Sequence, residues 1–138
     1  MRSPPVSIEE RLRPPPAVRS RGPELPIDLV ATARALREEP HPAKDGHRQI
    51  GLLHREHLRV VLFAFDRGGW LREHQAPGLV TIHTLTGGLR VATPTTTYEL
   101  AAGQVLVLER DVPHDVEALE QSDMLLMVHL DGEGSGVP

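Results

Sequence analysis

The sequence predicts an all-β domain, either a sandwich or a barrel, preceded by one short helix. From residue 48 onward the chain divides into short apolar and β-branched segments separated by turn sequences, at the spacing typical of such folds. Only the segment after Asp28 has the length and the 3.6-residue periodicity of a helix. The chain has 138 residues, of which 39% are hydrophobic, so we expect one domain with one core.

The composition excludes several classes of function. The chain contains no cysteine, which removes disulfides, thiolate metal sites and cysteine nucleophiles. The formal net charge is -4 and the basic residues are dispersed, so we expect neither nucleic acid nor a membrane surface as a partner. The sequence lacks an apolar leader segment and a long apolar run, and we therefore expect the protein in the cytoplasm.

The region before the barrel has two parts. Residues 1–26 contain seven of the thirteen prolines and little apolar mass, which predicts a Pro-rich flexible arm. This arm either covers an edge in a dimer or serves as a polyproline II ligand for a partner domain. Residues 27–47 hold the helix and a connection, with Asp28 as the N-cap and Pro40 and Pro42 after the helix end.

Residues 48–131 form the predicted barrel, and residues 132–138 are a Gly-rich tail. The expected strands are 49–53, 58–65, 70–74, 79–85, 89–93, 96–100, 104–109, 114–118 and 124–130.

Four histidines, at positions 41, 47, 54 and 57, fall in or beside turn-like sequence, and we expect them to be solvated. Trp70 lies four residues before His74 on one strand, which predicts that both share a face; we expect the tryptophan in the core or in an interface, with a lid over the cavity mouth as the alternative.

Glycines and histidines in the barrel region keep two long spacings. Five residues separate Gly68 from His74, and ten separate Gly103 from His114. Gly87 closes the first pattern, and fifteen residues separate it from Gly103. In these spacings, over about residues 48–130, the chain resembles a small single-domain cupin. The resemblance implies a cupin-type double-stranded β-helix, that is, a jelly-roll barrel, with the short N-terminal helix outside it.

The resemblance also implies where a metal would bind. Metal-bearing cupins use two histidines and one glutamate of the first motif and one histidine of the second. Here His74 and His114 keep two of these positions, while Ala76 and Val80 replace the second histidine and the glutamate. The predicted metal site therefore consists of His74 and His114 and could hold one divalent transition metal (Fe, Mn, Ni or Zn); the absence of any cofactor is equally compatible with the sequence. The second motif departs at Glu109, Asp111 and Ala118, which replace its Pro, Gly and Asn.

A third ligand would have to come from outside the motifs. His83 is separated by an odd number of residues from position 80 and should face away, unless a bulge rotates it inward. The same alternation argument turns four further residues away from the site: Glu73, Asp115, Glu117 and His129. Without a metal, His74 and His114 are polar groups in an apolar barrel, paired with each other, a threonine or a water.

Three functions follow from these alternatives. The expected one is a small-molecule binding barrel with a weak or absent metal site between His74 and His114, in a cavity lined by Val80, Ile82 or Thr84, Leu106 and Leu108. The alternative is a metal-dependent enzyme, similar to cupin dioxygenases or isomerases, that uses both histidines and a third ligand from outside the motifs. A purely structural or interaction role is the third. We also expect a homodimer, because segments such as 60–65 and 105–108 are apolar on both faces.

Overall fold

The computed structural model describes residues 22–130, except for the side chains of Glu73 and His74. Most of the predicted Pro-rich arm and the whole Gly-rich tail therefore lie outside the described residues. One helix and nine strands follow in the order α1 Leu29–Arg37, β1 His47–His54, β2 Leu58–Phe65, β3 Trp70–His74, β4 Gly78–Thr86, β5 Gly88–Ala92, β6 Thr97–Ala101, β7 Val105–Leu108, β8 His114–Ala118 and β9 Ser122–Leu130.

The nine strands form two antiparallel sheets. The five-stranded sheet has the order β1-β2-β9-β4-β7, and the four-stranded sheet has the order β3-β8-β5-β6. This arrangement confirms the predicted all-β jelly-roll barrel with a short N-terminal helix. The predicted bounds hold for β2, β3 and β8, and the other strands begin or end within one or two residues of the prediction.

Alternation along the strands directs one side of each sheet into a common core. On β4, Val80, Ile82 and Thr84 are buried while the residues between them are partly exposed. On β8, His114, Val116 and Ala118 are buried in the same way. The core between the sheets consists of Phe63, Phe65, Val80, Ile82, Leu89, Val91, Leu100, Leu108, Val116, Ala118 and Met124.

The helix covers the outer side of the five-stranded sheet. The Asp28 carboxylate accepts a hydrogen bond from the Ala31 N–H at 3.0 Å, which confirms Asp28 as the N-cap. Ala33 packs with Leu62 and Leu125 in a second apolar cluster. At the helix end, the Arg37 guanidinium forms an ion pair with Asp123 and donates to the carbonyl oxygens of Phe65 and Ser122. The described part of the chain contains no helix long and apolar enough to span a membrane.

Candidate functional site

His114 lies at the start of β8, where a chain crossing the end of the barrel re-enters the four-stranded sheet. The residue is only 5% exposed. Its Nδ1 lies 3.1 Å from the carbonyl oxygen of Val112. A carbonyl oxygen only accepts, so in the neutral ring the proton is on Nδ1 and the lone pair on Nε2. The short local bond to Val112 thus fixes both the ring orientation and the tautomer.

His74, the other predicted site residue, ends β3. In the antiparallel pairing of β3 with β8, its Cα partner is His114. The register therefore brings the two motif histidines to opposite positions of one ladder, although 39 residues of chain lie between them in the sequence.

An irregularity in the same ladder changes the position of Trp70. Trp70 is opposite Glu117 and Leu71 is opposite Val116, but His74 is already opposite His114. Strand β3 therefore has one more residue than β8 over this interval, as in a β-bulge. The prediction that Trp70 and His74 share a face assumes regular alternation along β3, and this extra residue interrupts that alternation. Trp70 is only partly buried, and the Arg72 guanidinium lies 4.1 Å from its ring centroid.

The two replaced motif positions are apolar parts of the barrel. Val80 is 2% exposed and belongs to the core between the sheets. Ala76 packs against the same core. Neither side chain has an atom that binds a metal, and the apolar contacts of Val80 occupy the place from which a carboxylate would reach inward. The two replaced positions thus belong to the hydrophobic interior of the barrel.

The described residues considered as a third ligand do not converge with His114 on one point. His83 is on β4 between two buried residues and is therefore on the outer side of the sheet, as the alternation predicts. Asp115 and Glu117 are exposed positions of β8, and His129 is an exposed position of β9. The side chain of Glu73 is not described. Among the side chains that the structure describes, no group of three His, Asp or Glu residues is arranged to hold a metal ion.

A cleft of about 310 Å³ opens beside His114. Its wall combines the end of β5 and the turn after it with the first residues of β8: Ala92, Thr93, Pro94, Pro113, His114 and Asp115. The cavity expected from the sequence had a different lining. Val80, Ile82 and Leu108 are buried in the core, and Leu106 packs against it. The strands' apolar residues fill the barrel, while the cleft that His114 lines is at one end.

Two histidines of the predicted solvated group are buried, and the prediction is wrong for them. His47 is 9% exposed and its ring centroid lies 5.6 Å from that of Phe63 and 5.4 Å from that of Phe65. Its Nδ1 donates to the Trp70 carbonyl oxygen at 3.0 Å. His41 is 7% exposed and its Nε2 is 3.4 Å from a Glu39 carboxylate oxygen. His54 and His57 are exposed, as predicted.

The interaction of His47 with two phenylalanines was not apparent from the local sequence, because the turn-like residues before it suggested solvent. The pairing of β1 with β2 places His47 directly opposite Phe65, and only this pairing would have predicted the burial of His47. Thr93 and Asp115 were missed as cleft residues for a similar reason. They meet only because Ala92, next to Thr93, is paired with Asp115 across the β5–β8 ladder.

No family model matches the sequence, and no curated protein is similar to it. Solved structures, by contrast, are similar in fold. A conserved protein of unknown function from Streptococcus pyogenes is 25% identical, with a TM-score of 0.66 over 82% of this chain and 93% of that one. A cupin superfamily protein from Desulfitobacterium hafniense is 17% identical, with a TM-score of 0.65 over 81% of this chain and 96% of that one.

A third similar structure is a point mutant of salicylate 1,2-dioxygenase from Pseudoaminobacter salicylatoxidans in complex with gentisate. It is 20% identical, with a TM-score of 0.60 over 73% of this chain and 30% of that one. The two-sheet topology, the motif spacings and these likenesses identify the fold: the chain has the cupin-type jelly-roll fold.

The residues present do not form the metal site that this fold often carries. Position 76 is alanine and position 80 is a buried valine, so the motif positions offer two imidazoles and no carboxylate. Open transition-metal sites in oxygenases use two histidines and a carboxylate, and zinc sites use three or four protein ligands. A tightly bound metal therefore lacks at least one ligand at these positions.

Proposed function

We propose that this chain is a small-molecule binding protein whose ligand occupies the cleft beside His114, with His74 as the second polar group. The observation that supports it best is the placement of His114, a nearly buried imidazole, in the wall of a cleft of about 310 Å³. Ligand pockets are commonly of about 300–1,000 Å³, mostly apolar, with few polar groups that orient the ligand. The cleft is at the lower end of this range, which suits a ligand of roughly one ring.

The imidazole is prepared for this role by its bond to Val112. Because Nδ1–H is held by the carbonyl oxygen, the ring keeps a fixed orientation in the cleft wall. A polar group held in a fixed orientation contributes specificity, because a ligand that offers it no partner leaves a largely buried group without a hydrogen bond.

A weak or absent metal site is part of the proposal. We expect the chain, purified without a polyhistidine tag, to contain less than about 0.1 equivalent of Fe, Mn, Ni or Zn, before and after reconstitution, because two imidazoles bind weakly without further ligands. Elemental analysis with His74→Ala and His114→Ala as controls measures this. One equivalent of a metal in the wild-type chain that both variants lose would overturn the metal-free proposal.

The metal-dependent enzyme is the second candidate, favoured by one observation: the register pairs His74 with His114. Salicylate 1,2-dioxygenase provides a precedent for enzyme chemistry on this fold. In this candidate a residue outside the motifs or the substrate itself supplies the remaining ligands. The metal analysis separates the two candidates before any substrate is known.

Binding itself is tested by NMR with a library of small ring compounds and the labelled full chain. We expect binders to shift the amide signals of the cleft residues, and His114→Ala to abolish these shifts while leaving the remaining spectrum unchanged. Binding that maps elsewhere, or that His114→Ala does not affect, would contradict the proposed site.

A further inference from the structure

The cleft beside His114 offers hydrogen-bond acceptors to a ligand but few unused donors. Its one charged side chain among the described lining residues is Asp115, which is exposed and forms no ion pair or hydrogen bond with a described residue. No lysine or arginine is among the lining residues. The cleft therefore offers a carboxylate whose hydrogen-bonding capacity the protein itself does not use.

The donors around the cleft are already used within the protein. The Thr93 N–H donates to the Thr96 carbonyl oxygen at 2.8 Å, and the Thr93 hydroxyl donates to the same oxygen at 3.0 Å. Pro94 and Pro113 have no N–H. The His114 Nδ1–H donates to Val112. A ligand in the cleft thus meets acceptor oxygens and proline rings rather than donors.

We infer that this cleft selects a cationic, hydrogen-bond-donating ligand, such as a primary ammonium group on a small ring, over a carboxylate of the same shape. The inference rests on the proposed small-molecule site and adds the charge of its ligand. A carboxylate ligand would meet Asp115 without a donor to offset the repulsion, whereas an ammonium group donates up to three hydrogen bonds. The proline rings provide apolar surface for the rest of the molecule.

The size of the preference follows from the exposure of Asp115. Two unit charges about 4 Å apart interact by roughly 1 kcal/mol in water, which corresponds to about a fivefold change in affinity. Attraction for the ammonium and repulsion for the carboxylate add up, but salt screens both at an exposed site. We expect the ammonium probe to bind about five- to tenfold more tightly than the carboxylate at low ionic strength, with a smaller ratio at higher salt.

Three probes that differ in one substituent test the inference: benzylammonium, benzyl alcohol and benzoate. Their dissociation constants are measured by NMR titration of the full chain at neutral pH and low salt. The variant Asp115→Asn removes the carboxylate of the cleft. The matched control Asp111→Asn removes the same charge from an exposed residue outside the lining; its φ of 66° is one that asparagine adopts readily.

The expected order is benzylammonium, then benzyl alcohol, then benzoate. Asp115→Asn should remove the preference for benzylammonium, and Asp111→Asn should keep it. Equal or tighter binding of benzoate, or a preference that survives Asp115→Asn, would overturn the inference while leaving the small-molecule site in place. If none of the three probes binds at millimolar concentration but other ring compounds shift the cleft signals, the inference fails alone. If nothing shifts them, the proposed function fails with it.

Discussion

Two hydroxyl groups in the barrel, those of Thr84 and Ser122, are equally buried but differently satisfied. Both residues are 0% exposed. The Ser122 Oγ accepts from the Gly88 N–H at 3.0 Å and donates to the Glu120 carbonyl oxygen at 2.7 Å. The Thr84 Oγ1 has no hydrogen-bond partner among the described residues. A buried polar group without a partner destabilises the folded state, whereas a paired one contributes modestly to stability.

Replacing these hydroxyls should therefore have opposite effects on the free energy of unfolding. We expect Thr84→Val to leave it unchanged or to raise it by up to about 1 kcal/mol, because the methyl group replaces an unpaired hydroxyl of similar shape. Ser122→Ala should lower it by about 1–3 kcal/mol, since the Gly88 N–H loses its acceptor. Urea denaturation measures both. A loss of more than about 1 kcal/mol in Thr84→Val would mean that a buried water satisfies the hydroxyl.

At the same scale, the two motif histidines were predictable and the cleft was not. His74 and His114 stand out because their spacing from Gly68 and Gly103 is visible in the chain. The cleft depends on which residues face each other across the β5–β8 ladder, and a single residue of register moves every side chain to the other face. Local sequence does not determine such pairings, which also explains why the burial of His47 was missed.

The glycines that frame the motifs explain why the spacing survives while the ligands change. Gly68, Gly87 and Gly103 all have positive φ, of 80°, 79° and 90°. Side chains other than glycine rarely adopt this conformation, so the turns require glycine whatever the site does. Position 76 lies just before strand β4 and position 80 lies within it, and apolar residues fit at both. Backbone geometry thus keeps the fold recognisable, whereas positions 76 and 80 carry no such backbone requirement.

Gly87 is restricted further by its surroundings. A Cβ atom there would lie 2.3 Å from both the Gln121 carbonyl oxygen and the Ser122 Oγ, whereas nothing lies within 4 Å of a Cβ at Gly103. We expect Gly103→Ala to lower the free energy of unfolding by about 1–2 kcal/mol through its backbone conformation alone. Gly87→Ala should lower it by about 3 kcal/mol or more, because steric overlap adds to the same backbone penalty.

Chemical denaturation of the two variants under one condition tests this comparison. Because both substitutions add the same methyl group at a similar φ, their difference isolates the contact with Gln121 and Ser122. Equal losses in the two variants would show that the turn between β4 and β5 accommodates the added methyl group without strain and would contradict the expected steric overlap.

The helix, the strands and their order could be predicted from the sequence because most of their ends are marked by local residues. Asp28 and the prolines delimit α1, and Gly or Pro separates almost every strand from the next. The bulge in β3 was not accessible, because nothing in the segment from Leu71 to His74 differs from a regular strand. It becomes visible only in the pairing with β8, where three steps along β3 correspond to two along β8.

At the scale of the whole molecule, the outer side of the five-stranded sheet has two regions. Helix α1 covers one region, and the other is exposed. Leu62 and Leu125 are buried beneath the helix. Toward the edge strand β7, Val105 is 50% exposed, Val107 is 53% exposed and Met127 is 39% exposed. Val107 is opposite Thr81, and Thr81 is in turn opposite Met127, so Val107 and Met127 lie in one row across the sheet. This row is uncharged and apolar at both ends.

We propose that a second copy of the chain covers this row. A chain of net charge -4 repels its own copies, so self-association favours an uncharged contact. A two-fold axis would place the same outer face of the five-stranded sheet of both copies in contact, row against row, and such a contact is self-complementary. The exposed valines would then be buried in both copies at once.

Light scattering coupled to size exclusion measures the expected dimer. Val107→Lys places a charge in the centre of the row and should shift the chain to monomer, because the two-fold contact would bury two like charges. Val30→Lys is the matched control: Val30 is 69% exposed on α1, away from the row, and the variant should remain dimeric. A monomeric wild-type chain at about 100 μM, well above the range of specific homodimers, would refute this surface as a dimer contact. A dimer that Val107→Lys leaves intact would instead place the contact on another part of the molecule.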